Sequence, residues 1–132
     1  MTTPIRFAAT AVLATVLASC APVVDTARLS PVVYPPRPAD FRIRMYSTQR
    51  PRCSYEELAT VRGRKPNLFV SMEDVAESIR RIAREMGGDA VVAVTSGSEL
   101  RGGTVVGGTV SMDTDPILGG TVIRFKEDDC RE

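Results

Sequence analysis

One amphipathic helix, closed at both ends by its own residues, constrains this chain more than any other stretch. Ser71 is a good N-cap, and Asp74 three residues later completes a capping-box start. Glu73 and Asp74 lie in the first turn, where the helix dipole favours acidic groups. Met72, Val75, Ile79, Ile82 and Met86 recur at spacings of three and four and draw one apolar stripe. Glu77 and Arg81 stand at i,i+4 on the wet side. Gly87-Gly88 ends the helix, because glycine takes the left-handed C-terminal position without steric penalty. A single helical stripe needs a sheet to cover it. Aromatics are 5% of the residues and Trp is absent, so that core must be built mainly from Val, Ile, Leu and Ala.

The strands are read from period-two alternation. Phe41, Ile43 and Met45 alternate with Arg42 and Arg44. Tyr55 to Arg62 alternates more weakly. Ala90-Val91-Val92-Ala93-Val94 is a short continuous apolar run, which argues a strand covered on both faces or central in the sheet. Gly120 to Lys126 is the last strand, with Val122 and Ile123 on opposite faces. Between these two lies Gly-Gly-Thr-Val three times, starting at Gly102, Gly107 and Gly119. The segment from Thr104 to Ser111 has the form of a hairpin turning at Gly107-Gly108. The expected fold is α+β: a small, mainly antiparallel sheet of about four strands, one amphipathic helix packed on it, and a Gly-rich hairpin insertion. Residues 41–132 would form that single domain.

The N-terminus resembles a bacterial lipoprotein signal. Arg6 is the one charge of a short n-region, and Phe7 to Ser19 is uncharged. Leu17-Ala18-Ser19-Cys20 matches the lipobox, with Leu at −3, small residues at −2 and −1, and Cys at +1. The resemblance implies that residues 1–19 are removed and that Cys20 carries a diacylglycerol and a further acyl chain, enough to hold a protein at a membrane. Ala21 after the lipid site points to the outer membrane, facing the periplasm. Residues 20–40 then read as a Pro-rich linker. Pro22, Pro31, Pro35, Pro36 and Pro38 disfavour both sheet pairing and helix and favour extended polyproline II. Val32-Val33-Tyr34 is apolar enough to dock locally on the domain.

With Cys20 assigned to lipid, Cys53 and Cys130 remain as an even pair in an oxidising compartment, which favours a disulfide. Histidine is absent, which removes the commonest metal ligand and general base. Without Arg6 the chain carries 16 basic and 16 acidic residues, not the basic excess of a nucleic-acid binder. The glycine segment has neither Walker nor dinucleotide spacing. Asp113 and Asp115 are too few ligands for a calcium loop. No catalytic residue, metal site or cofactor is expected. The basic set Arg42, Arg44, Arg50, Arg52, Arg62, Arg64 and Lys65 is a solvated sheet face or a contact for anionic lipid or cell-wall polymer.

Ile79 to Val92, with Gly87-Gly88-Asp89-Ala90-Val91 at its centre, resembles the helix-to-strand signature of small envelope lipoproteins, the RcsF-type stress sensors and the YbjQ-like domains. Tyr55-Glu56-Glu57-Leu58 sits where that family has a Tyr-Glu-Leu-type strand. The resemblance spans roughly residues 41 to 126. It implies a compact α+β domain with a helix on a small sheet and a role in the cell envelope. The expectation is therefore a non-enzymatic, lipid-anchored module that contacts another envelope protein or senses envelope stress. The alternative is a structural lipoprotein subunit that assembles through the Gly-Thr-Val strands.

Overall fold

The computed structural model describes residues 21–130. Five strands form one sheet: β1 (Val23–Arg28), β2 (Arg44–Met45), β3 (Tyr55–Arg64), β4 (Ala90–Val106) and β5 (Thr109–Phe125). A helix, α1 (Met72–Glu85), links β3 to β4, and a 3-10 turn (Asp128–Cys130) ends the described chain. The strand order is β1-β3-β5-β4-β2. The β2–β4 pair is parallel and the other three pairs are antiparallel. Thus β3 and β4 run the same way with β5 between them, and α1 crosses from one to the other as a split β-α-β unit.

This corrects the expected fold class. Strand accounts for 47% of the described residues and helix for 15%, so the sheet sets the architecture. It is a mixed, five-stranded sheet rather than an antiparallel one of about four strands. Two misreadings produce the difference. Val23–Arg28 lies inside the stretch read as linker, yet pairs with β3 over six residues, from Val23↔Arg64 to Arg28↔Ala59. Pro22 and Pro31 flank that segment rather than interrupt it, so no ladder hydrogen bond is lost. The Gly-rich stretch is not an insertion either. It is the outer half of β4 and β5, each 17 residues long.

Helix α1 forms as its sequence dictates. Ser71 Oγ accepts from the Asp74 N–H at 3.1 Å, and Asp74 Oδ2 accepts from the Ser71 N–H at 2.7 Å. At the other end Gly88 N–H donates to Ala83 O and Gly87 N–H to Arg84 O, at 2.9 and 3.0 Å. With Gly87 at φ +75°, this is a Schellman closure. The wet side pairs differently from the expected Glu77–Arg81. Glu77 bridges Arg80 and Arg84, at 3.2 and 2.7 Å, while Arg81 reaches Glu85 at 2.6 Å.

The apolar face of α1 packs on β3, β5 and β4. Val75, Ile79 and Ala83 join Ile43, Leu58, Val61, Val91 and Val122 in the main core. Burying a side chain such as Ile79 contributes about 2 kcal/mol from area alone. The helix comes so close at Gly63 that an added Cβ would lie 2.5 Å from Val75 Cγ1. A smaller core lies on the opposite sheet face: Ala90, Val92, Ile123 and Phe125, covered by Tyr46, Cys53, Tyr55 and Cys130. Val91 and Val122 face the helix while Val92 and Ile123 face away, as alternation requires.

Bulges interrupt the alternation. In β3 the register slips between Glu57 and Ala59, so Leu58 and Ala59 are both buried. In β4 it slips between Val92 and Thr95, where Ala93 takes φ +52°. Past that bulge and the row Gly97↔Ile117, β4 and β5 leave the sheet as a two-stranded ribbon from Ser98↔Pro116 to Val106↔Thr109. Nine residues of β4 give it a length of about 30 Å. Gly107 and Gly108 both have positive φ, +59° and +82°, the signature of a type I′ turn.

Candidate functional site

The densest polar arrangement is not a cleft but a strap. After β1 the chain runs through residues 29–41 and lies against the sheet and the C-terminal end of α1. Leu29 and Ser30 donate their N–H groups to the carbonyl of the bulged Leu58, at 2.9 and 3.2 Å. The Ser30 hydroxyl donates to Glu56 Oε1, and the Tyr34 phenol donates to Glu56 Oε2 at 2.6 Å. These two donors, Ser30 first, hold the Glu56 carboxyl below the usual carboxylate range. The same Glu56 contact, followed by desolvation, pushes the Tyr34 phenol up.

Tyr34 is fixed from a second side. The Arg124 guanidinium stacks 4.3 Å from its ring centroid and donates to Gly87 O at 2.6 Å. Glycine is required at 87 for space as well as for φ, because a Cβ would lie 2.7 Å from Tyr34 Cβ. Further on, the Arg37 N–H donates to Arg84 O at 2.8 Å, capping a helix carbonyl. Arg37 Nη2 lies 2.6 Å from Asp89 Oδ1 as an ion pair rather than an aligned hydrogen bond. The Asp89 side chain is fully buried, and its Oδ2 accepts from the Phe125 N–H at 2.9 Å. Arg37 also stacks on Phe41 at 5.1 Å.

This corrects the reading of residues 20–40 as a spacer, within the part described. Of the docking candidates, Tyr34 docks, while Val32 and Val33 remain exposed. Sequence reasoning missed Ser30, Arg37, Glu56, Asp89 and Arg124. Tyr34 and Arg37 among the prolines were the available signal.

Cys53 and Cys130 are joined by a disulfide, with Cα atoms 6.3 Å apart across 77 residues of sequence. In the chain-entropy picture a loop of that length contributes about 4 kcal/mol. The ligand atoms of Cys53, Glu127 and Cys130 lie within 4.8 Å of one another. A disulfide sulfur is not a thiolate, so the oxidised pair leaves Glu127 as the one metal-binding group of that trio. Cys20 lies outside the described residues, as do residues 1–19.

The basic set does not form one surface. Arg44, Arg50 and Arg52 belong to the sheet end where β3 and β4 begin. Arg62, Arg64 and Lys65 belong to the opposite end. Arg62 pairs with Glu99 at 3.3 Å. Two open surface clefts border these elements, one between Pro22, Phe69 and the wet side of α1, the other along Asp40–Tyr46. Among the described residues no helix is long and apolar enough to cross a membrane.

The arrangement fastens the strap: each Glu56 oxygen accepts one hydroxyl donor, Asp89 is paired with Arg37, and the two cysteines are bonded to each other. Compared with protein-family models, curated proteins and solved structures, the chain matches none.

Proposed function

We propose that this chain is a lipid-anchored protein of the bacterial cell envelope, held through Cys20 in the outer membrane and facing the periplasm. There it acts as a non-enzymatic interaction or stress-sensing module of RcsF-like or YbjQ-like type. The observation that carries this reading is Leu17-Ala18-Ser19-Cys20 at the end of an uncharged segment. The Cys53–Cys130 disulfide supports it, because such bonds persist in oxidising compartments. The polar network favours contact over chemistry, since its charged groups are committed to holding the strap.

A second reading, a self-assembling structural lipoprotein subunit, draws support from the ribbon. Beyond Met45 and Arg64 the outer stretches of β4 and β5 have no neighbouring strand among the described residues, and such edges accept further strands.

Metabolic labelling with an alkyne fatty acid tests the anchor. Wild-type chain should take up label and fractionate with membranes, and Cys20→Ser should do neither. Label in the variant, or soluble unlabelled wild type, would overturn the reading. Crosslinking in intact envelopes then separates the two roles: a distinct partner supports the interaction module, and ladders of the chain itself support the subunit.

A further inference from the structure

The N-terminal end of β1 lies at the sheet end from which the ribbon leaves. Val23 pairs with Arg64, Arg64 pairs with Ile117, and Ile117 pairs with Gly97, so these four residues stand in one row. The loop from β3 to α1 emerges from that row, and it carries the two most exposed apolar side chains described. Leu68 and Phe69 are each 94% exposed. The loop there is turned by Asn67, whose Oδ1 accepts from the Phe69 N–H at 2.9 Å. Pro22 and Phe69 border the same cleft, which places the loop beside the start of the described chain. Arg64 and Lys65 flank it, without an ion pair among the described residues.

The ribbon adds to this apolar end. Its register puts Leu100, Gly103, Val105, Val110 and Met112 on one face, and the bulge between Leu100 and Gly102 keeps Leu100 in line. The four large side chains of that face are 58–68% exposed. The other face carries Thr104, Ser111, Asp113 and Asp115, with Val106 beside the turn as its one large apolar side chain.

We infer that this end of the sheet is a lipid-contacting surface, with Leu68 and Phe69 inserted at the bilayer interface and Arg64 and Lys65 among anionic headgroups. The inference rests on the anchored reading and adds what the anchor alone does not give, a fixed orientation. Cys20 precedes Val23 by three residues, a reach of about 11 Å at most. The ribbon projects about 30 Å past the same row. A domain tethered so closely cannot stand upright over the membrane. It tilts, and the ribbon comes down along the surface with its apolar face towards lipid.

The chain has no Trp, so a single one reports its own surroundings. Three full-length lipidated variants, Phe69→Trp, Met112→Trp and Arg50→Trp, are placed in phosphatidylethanolamine/phosphatidylglycerol vesicles with and without brominated acyl chains. The first two should shift to the blue and lose most of their emission to bromine, while Arg50→Trp, at the far end of the sheet, should do neither. Phe69→Trp that floats with vesicles yet stays red-shifted and unquenched overturns the inference and leaves the anchor standing. A blue shift without bromine quenching also overturns it, in favour of a second copy covering the loop. Chain that carries no lipid mass and does not float overturns the anchor and the inference together.

Discussion

β4 and β5 are each two different objects. Their inner halves, Ala90–Val94 and Gly120–Phe125, lie between α1 and the disulfide-bonded turn, and Val91, Val122 and Ile123 there are fully buried. Their outer halves hold the same residue types, Val, Thr and Gly, and yet Val105, Val106 and Val110 are mostly exposed. Strand preference is common to both regions. What separates them is whether another element is laid over the strand. Glycine shows the same divide. Gly63 and Gly120 are sites of close approach, where a Cβ would lie 2.5 and 2.6 Å from valine methyls, whereas Gly102, Gly107 and Gly108 have nothing within 4 Å.

The sharpest test of that contrast replaces one apolar side chain in each region. Ile79→Ala should lower unfolding stability by about 4 kcal/mol, since it empties a fully buried site. Val105→Ala should change it by less than about 0.5 kcal/mol. Urea denaturation of both settles the matter, and comparable losses would mean that the ribbon is covered.

The strap belongs with the covered region. Arg37→Ala leaves the buried Asp89 carboxylate without its guanidinium, and the expected cost is about 3 kcal/mol. A loss within error would mean that residues 29–41 are only loosely laid on the sheet. Next in size, Gly63→Ala should cost about 2 kcal/mol, because the backbone of β3 must move from Val75. Gly102→Ala should be neutral or slightly stabilising, and differential scanning calorimetry of the pair measures the difference.

The smallest effect is in the pH profile. Glu56 titrates below its ordinary range when folded. Its contribution is present above about pH 4.3, where an unfolded glutamate titrates, and is lost as pH falls through the folded value. Tyr34 titrates above its ordinary range. Its contribution is full below about pH 10 and is lost as pH rises through the folded value. Glu56→Gln should flatten the acid limb of urea midpoints against pH, and Tyr34→Phe the alkaline limb. An unchanged acid limb in Glu56→Gln would remove the network from the stability of the strap.

How legible all this was depends on distance along the chain. Helix α1 was readable because its signals are local: Ser71 and Asp74 are three residues apart, and Gly87 acts within its own turn. The Gly107-Gly108 turn was readable for the same reason, as was the opposite facing of Val122 and Ile123. The strand around Ile43 was found, but its ladder is only Arg44–Met45, since strand length is set by the partner and not by alternation. β1 was missed because the prolines around it dominate the composition, while the partner that makes it a strand lies 31 to 41 residues away, from Arg28↔Ala59 to Val23↔Arg64. The strap was missed because Ser30 and Glu56 are 26 residues apart, and Arg37 and Asp89 farther still. The bulge at Leu58 was invisible to a rule that assumes strict period two. The same holds for the site residues: the cysteine pair followed from counting, whereas the polar network needed the fold.

The placement of β1 also decides how the domain bears force. β1 runs antiparallel to β3 with its first residue at the sheet end where the chain enters. A pull on that entry point, when resisted at the opposite end of the sheet, acts along the strand and across hydrogen bonds that lie perpendicular to it. The paired residues of the ladder then share the load in shear, instead of opening one after another like a zipper. The strap behind β1 adds a second hold, since Ser30, Tyr34 and Arg37 must all let go before tension reaches β3. A domain built this way stays folded under a tug that would peel an edge strand pulled sideways.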